Sequence, residues 1–149
     1  MGTSIVAVRK GLVAGLAAKP EFSGVLATFA FKVGAKQRER LWTQDGRFTH
    51  EPASLRPGKT YRDEVGTFNL RILVEGVGKA PDWTSDRAVA LGAAAEEFVA
   101  LHANWLNGAL GVVVQTLAIQ GDGELVEAFN DKGSLAELTY PIRYTARLT

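Results

Sequence analysis

The chain has no cysteine, one methionine, two histidines and five prolines among its 149 residues. Without cysteine there is no disulfide framework, no thiolate metal site and no cysteine nucleophile, a usage that fits a reducing compartment. An excess of one charge is missing too. Seventeen basic residues face 16 acidic ones, whereas proteins that grip nucleic acid through its phosphates carry a clear basic surplus. No apolar run approaches the roughly 18 residues of a membrane-spanning helix. Arg9 and Lys10 precede the apolar run Gly11–Ala18, but Ile5, Val6 and Val8 stand where a signal peptide has its polar n-region, so an amphipathic helix is expected there. Val6 likewise departs from the Ser or Thr that a myristoylation start requires at this position.

Catalytic signatures are equally sparse. Neither G-x-S-x-G nor H-E-x-x-H occurs. Gly76-Val77-Gly78-Lys79 resembles part of a phosphate loop, but Leu73 stands where a Gly is needed and Ala80 where Ser or Thr is needed, so it reads as a strand-ending turn. Gly121-Asp122-Gly123-Glu124 lacks the repeated acidic ligands of a calcium loop and reads as a hairpin turn. His102 falls on the apolar stripe of a helix, as a packed histidine does. His50, beside Glu51 and near Asp45, is the one base with carboxylates close in sequence, and no evident nucleophile accompanies it. The expectation is a protein with no cofactor, no metal and no catalytic centre.

What is present is patterning. From Ala136 to Leu148 every second residue is apolar (Ala136, Leu138, Tyr140, Ile142, Tyr144, Ala146, Leu148), which predicts one long strand with a buried face and a contacted face carrying Arg143 and Arg147. Pro141 removes a ladder donor and argues for an edge strand or a bulge. Ile5, Val8, Leu12 and Leu16 make one stripe of a helix that Ser4 can cap and Pro20 closes. Val25–Val33 and Thr67–Glu75 read as strands. Thr84, Ser85 and Asp86 open a second helix with Ala88, Leu91, Ala95, Phe98, His102 and Trp105 inward. Val112–Ile119, Leu125–Phe129 and the terminal strand then suggest an antiparallel meander.

Between the first strands, residues 36–64 hold twelve charged side chains and two prolines. Arg40–Gln44 and Arg47–His50 flank Asp45-Gly46, a hairpin signal. Trp42, Phe48 and Tyr61 sit among these charges, a mixture typical of contact surfaces. Arg38, Arg40 and Trp42 alternate, so they share a face of a regular strand, and Arg62, Asp63 and Glu64 offer complementary charge. The whole is an α+β fold over a single domain, residues 1–149. It has an antiparallel-dominated sheet, two helices packed on one face, and a protruding charged hairpin or loop. At this length about 68–70% of the unfolded surface can be buried.

Arg38-Glu39-Arg40-Leu41-Trp42 after the first strand, Arg62-Asp63-Glu64 leading into Phe68–Val74, the long helix, Leu110-Gly111, and the closing Tyr144-Thr145-Ala146-Arg147-Leu148 give the chain its likeness to a known family. It resembles the tail terminator proteins of long-tailed phages, notably those of actinobacterial hosts, with Phe48–Lys59 departing most from the family pattern. The resemblance implies a six-membered ring, assembled in the bacterial host cytoplasm, at the head-proximal end of the tail. Such a ring caps the tube, ends its polymerisation and meets the head connector. Its partners would be further copies of itself, the tail tube protein and the connector protein, with DNA passing through the lumen unbound and no membrane involved. The candidate interface residues are Arg38, Arg40, Trp42, Arg47, Phe48, Arg62, Asp63, Glu64, Arg143 and Arg147. The alternatives are another ring component of the tail, or a small α+β ligand-binding domain or enzyme built around His50.

Overall fold

The computed structural model describes residues 2–52, 61–101 and 113–148. Helix α1 (Ile5–Ala17) and a 3-10 turn (Pro20–Phe22) lead to strands β1 (Leu26–Thr28), β2 (Glu39–Pro52) and β3 (Arg62–Val77). Helix α2 (Pro81–Leu101) follows, then strands β4 (Val113–Ile119), β5 (Glu124–Asn130) and β6 (Gly133–Leu148). His102, Trp105, Leu110-Gly111 and Pro57-Gly58 lie outside the described residues.

The six strands form one open, mixed sheet in the order β1-β2-β3-β6-β4, with β5 also on β6. β1 runs parallel to β2, and every other pairing is antiparallel. Residues of even number on β3 and β6 pair with one another, from Glu64 with Ala146 to Val74 with Ala136. Their side chains therefore share one face. Phe68, Leu70, Ile72 and Val74 meet Leu138, Tyr140, Ile142 and Tyr144 there, under Val8, Leu12 and Leu16 of α1 and Ala88, Leu91, Ala95 and Phe98 of α2. Both helices thus cover the same face, and the predicted stripes are buried at Ile5, Val8, Leu12 and Leu16 of α1 and at Ala88, Leu91, Ala95 and Phe98 of α2. α2 begins a turn earlier than expected, at Pro81, because proline lacks only an N–H that the first helical turn leaves unpaired.

β6 alternates between half-buried and buried along nearly its whole length, as its sequence requires. It is an interior strand, however, with β3 on one side and β4 and β5 on the other. The backbone explains how Pro141 is tolerated. Gln120 N–H donates to the Pro141 carbonyl at 2.9 Å, and the N and C=O of one strand residue point the same way. The missing N–H therefore faces the break between β4 and β5, not β3. The expected meander is corrected by the same feature. β4 pairs with Ile142–Arg147 and β5 with Gly133–Thr139, so the two lie end to end along β6 and do not pair with each other. Gly121-Asp122-Gly123 steps past the proline and does not reverse the chain.

Two further expectations change. Val25–Val33 yields only the three residues of β1. Asp45-Gly46 is a bulge inside the continuous β2, not a hairpin turn: two residues of β2 stand against one of β3 between the pairs Gln44–Asn69 and Arg47–Thr67. Asp45 takes a positive φ of 60°, and its carboxylate accepts hydrogen bonds from Gln44 and Asn69. The bulge changes which residues face the helices, from Leu41 and Thr43 before it to Phe48 and His50 after it. The long antiparallel pair is that of β2 with β3, whose described residues carry Glu39, Arg40, Asp45, Arg47, Glu51, Arg62, Asp63 and Glu64 of the charged segment.

Candidate functional site

The helix-free face of the sheet collects six of the ten candidate residues. By register, Arg40 and Trp42 before the bulge, Arg47 after it, Asp63 on β3, and Arg143 and Arg147 on β6 all point to this face. Its charges are largely paired. Arg147 grips Asp63 with both arms of its guanidinium, at 2.9 and 3.2 Å, and the hydrogen bonds from Arg147 lower the Asp63 pKa. Arg71 Nη1 lies 2.5 Å from Glu137. Arg40 reaches Glu75 at 3.5 Å and donates to the Gln37 carbonyl at 2.7 Å. Arg47 is exposed, and Arg143 makes only a long contact with Gln120, 3.5 Å. The exposed pair of Arg147 with Asp63 contributes little to stability because water screens it, and the pairs of Arg71 and Arg40 are partly buried.

Trp42 is buried, with Phe31 edge-on at 5.1 Å and its indole N–H given to Gln44. It anchors the segment that follows β1 onto the sheet. Arg38 precedes β2 and is exposed, and its carbonyl accepts from Glu75 N–H at 2.8 Å. Phe48 and Arg62 fall on the helix side, Phe48 half-exposed against His50.

Glu64 corrects the expectation most. It is fully buried beneath the start of α1 and is not a partner for Arg40, which pairs with Glu75. Ser4 does not cap the helix with its own side chain. Its backbone N–H donates to Glu64 Oε1 at 3.0 Å, and its hydroxyl donates to the same oxygen. Tyr144 Oη donates at 2.6 Å, and His50 Nε2 lies 2.6 Å from Oε2. A carboxylate at the positive end of a helix is favourably placed. Burial pushes the Glu64 carboxyl up, but hydrogen bonds from Ser4, Tyr144, His50 and Thr3 outweigh it and bring the pKa to about 2. Burial and then the bond to Glu64 push the Tyr144 phenol up. The signal for this cluster was available in the numbering: Glu64 has the parity of Phe68 and Leu70, a charge on the apolar face.

His50 is thus committed to a carboxylate that anchors α1. Two clefts lie instead around Gly76 and Val77, one of about 340 Å³ against the β5–β6 turn and one of about 460 Å³ reaching Trp83 and Arg87 of α2, and neither includes His50 or Glu64. Among the described residues no three His, Cys, Asp or Glu side chains converge as a metal set, and no helix is long and apolar enough to cross a membrane.

The class defined by this geometry is an open α+β sheet with one helix-covered face, and in this chain the other face is charged. Solved structures share the fold. One chain in a structure described as the "Virion of native gene transfer agent (GTA) particle" matches with a TM-score of 0.60 at 12% identity, over 98% of this chain and 100% of that one. At this identity the likeness is one of fold. No protein-family model and no curated protein matches the sequence.

Proposed function

We propose that the chain is a structural virion protein that closes into a ring on the head-proximal end of a phage tail tube, stops its polymerisation and presents the joint to the head connector. The observation carrying this reading is the end-to-end correspondence of fold with a chain of a phage-like particle, 98% of one chain against 100% of the other. It joins the sequence resemblance to tail terminators, which spans the same elements. The subunit also suits the role physically. A cyclic ring needs two different surfaces per subunit, and the open sheet supplies two different edges, β1 and β4–β5. The near-neutral balance of charge favours subunit contact over a grip on DNA passing through the lumen.

Electron microscopy of tails assembled with and without the protein tests this. Tubes should be capped and uniform in its presence, and overgrown or unjoined to heads in its absence. Uniform, joined tubes without it would contradict the proposal.

A further inference from the structure

The two sheet edges are chemically complementary. At one edge, residues 24–38 run through β1 and back toward β2, and carry Lys32, Lys36 and Arg38 with no acidic residue. Within this segment Phe31 is 49% exposed and Val33 85%. At the other edge, residues 120–132 carry Asp122, Glu124, Glu127 and Asp131 against the single cation Lys132. There β5 is exposed at every position although it contains Leu125, Val126, Ala128 and Phe129, and Phe129 is 76% exposed. A strand edge of this kind holds unpaired backbone donors and acceptors and normally bears Lys, Pro or a cover as protection. β5 has no Lys and no Pro.

We propose that these two edges are the two halves of the subunit–subunit contact: β5 of one copy docks on the Gly24–Arg38 edge of the next. This rests on the ring reading and specifies its interface. The occupant is a second copy because both halves, a basic apolar edge and an acidic apolar edge, belong to one chain at opposite ends of one sheet. Edge-to-like-edge pairing would set acid on acid or base on base. The arrangement is therefore head-to-tail, the type that builds rings, with like-charge juxtaposition excluding the wrong register.

Paired charge reversals test it, because all four side chains are exposed. Lys32→Glu/Lys36→Glu makes both edges acidic, and Asp122→Lys/Glu124→Lys makes both basic. Each variant should keep the wild-type thermal transition. Each alone should need about tenfold or more protein to form rings on tubes. An equimolar mixture should recover capping through alternating subunits, which a ring of even number permits. Normal ring formation by either variant alone, or a mixture no better than its parts, would overturn this interface and leave the ring reading standing. A wild-type control that caps no tubes would overturn the ring reading itself. Recovery by the mixture also separates a second copy from the tube protein as occupant, since a tube-protein contact would stay broken.

Discussion

β5 and β6 are neighbours joined by a tight turn at Asp131-Lys132, and both are rich in apolar residues, yet their environments are opposite. β6 buries every second residue, Tyr144 and Ile142 completely. β5 buries none. The contrast shows that apolar content does not decide burial; position in the sheet does. β6 has strands on both sides and two helices above it, while among the described residues β5 pairs with β6 alone and its other edge is open. What β6 contributes is the fold of the subunit. The apolar side chains of β5 stay exposed in the subunit, as those of a contact surface do.

The comparison breaks most severely if β6 is cut. Truncation before Tyr140 removes Tyr140, Ile142, Tyr144 and Leu148 and strips β3 of most of its partner. At about 1.5–3 kcal/mol per large buried side chain, the loss rivals the whole stability of a domain, so the product should be insoluble or lack a cooperative thermal transition. A wild-type transition would show β6 to be dispensable.

Next in size is Glu64→Gln. A carboxyl held near 2 against an ordinary 4.5 contributes on the order of 3 kcal/mol. The folded pKa is depressed, so this stability is present above the unfolded value of 4.5 and is lost as pH falls through about 2. The variant should be less stable than wild type at neutral pH, with the difference shrinking between pH 4.5 and 2 in denaturant melts. An unchanged difference across that window would remove the clasp from the account.

Gly66→Ala sharpens the same region. Gly66 stands opposite Tyr144, and a Cβ there would overlap the phenol ring. A cost of about 1–3 kcal/mol is expected from overpacking, with the tyrosine environment shifted in near-ultraviolet circular dichroism. Phe129→Ser, by contrast, should change subunit stability by no more than about 0.5 kcal/mol while impairing ring formation. A large loss of stability would mean that β5 serves the subunit fold after all.

Much of this was readable in the residues. The alternation of Ala136–Leu148 and the stripes of α1 and α2 depend on periodicity, which burial enforces directly. Asp45-Gly46 reads as a turn in sequence because turn and bulge use the same residue types. Only the unbroken partner strand β3, sixteen residues long, distinguishes them. Pro141 looked like an edge marker because the break in the flanking edge strand is non-local. Of the candidate site, Arg40, Trp42, Arg47, Asp63, Arg143 and Arg147 come together as their register implies. Glu64 belongs to the interior, and the β5 edge is not legible in sequence because its short apolar run looks like any buried strand.

Hydrogen exchange at the β5 amides, in the isolated subunit and in capped tails, tests the central contrast most directly. β6 amides should be protected in both states. The β5 amides that face away from β6 should exchange freely in the subunit and become protected in the tail. Equal exchange of those amides in both states would contradict the assignment of this edge to assembly.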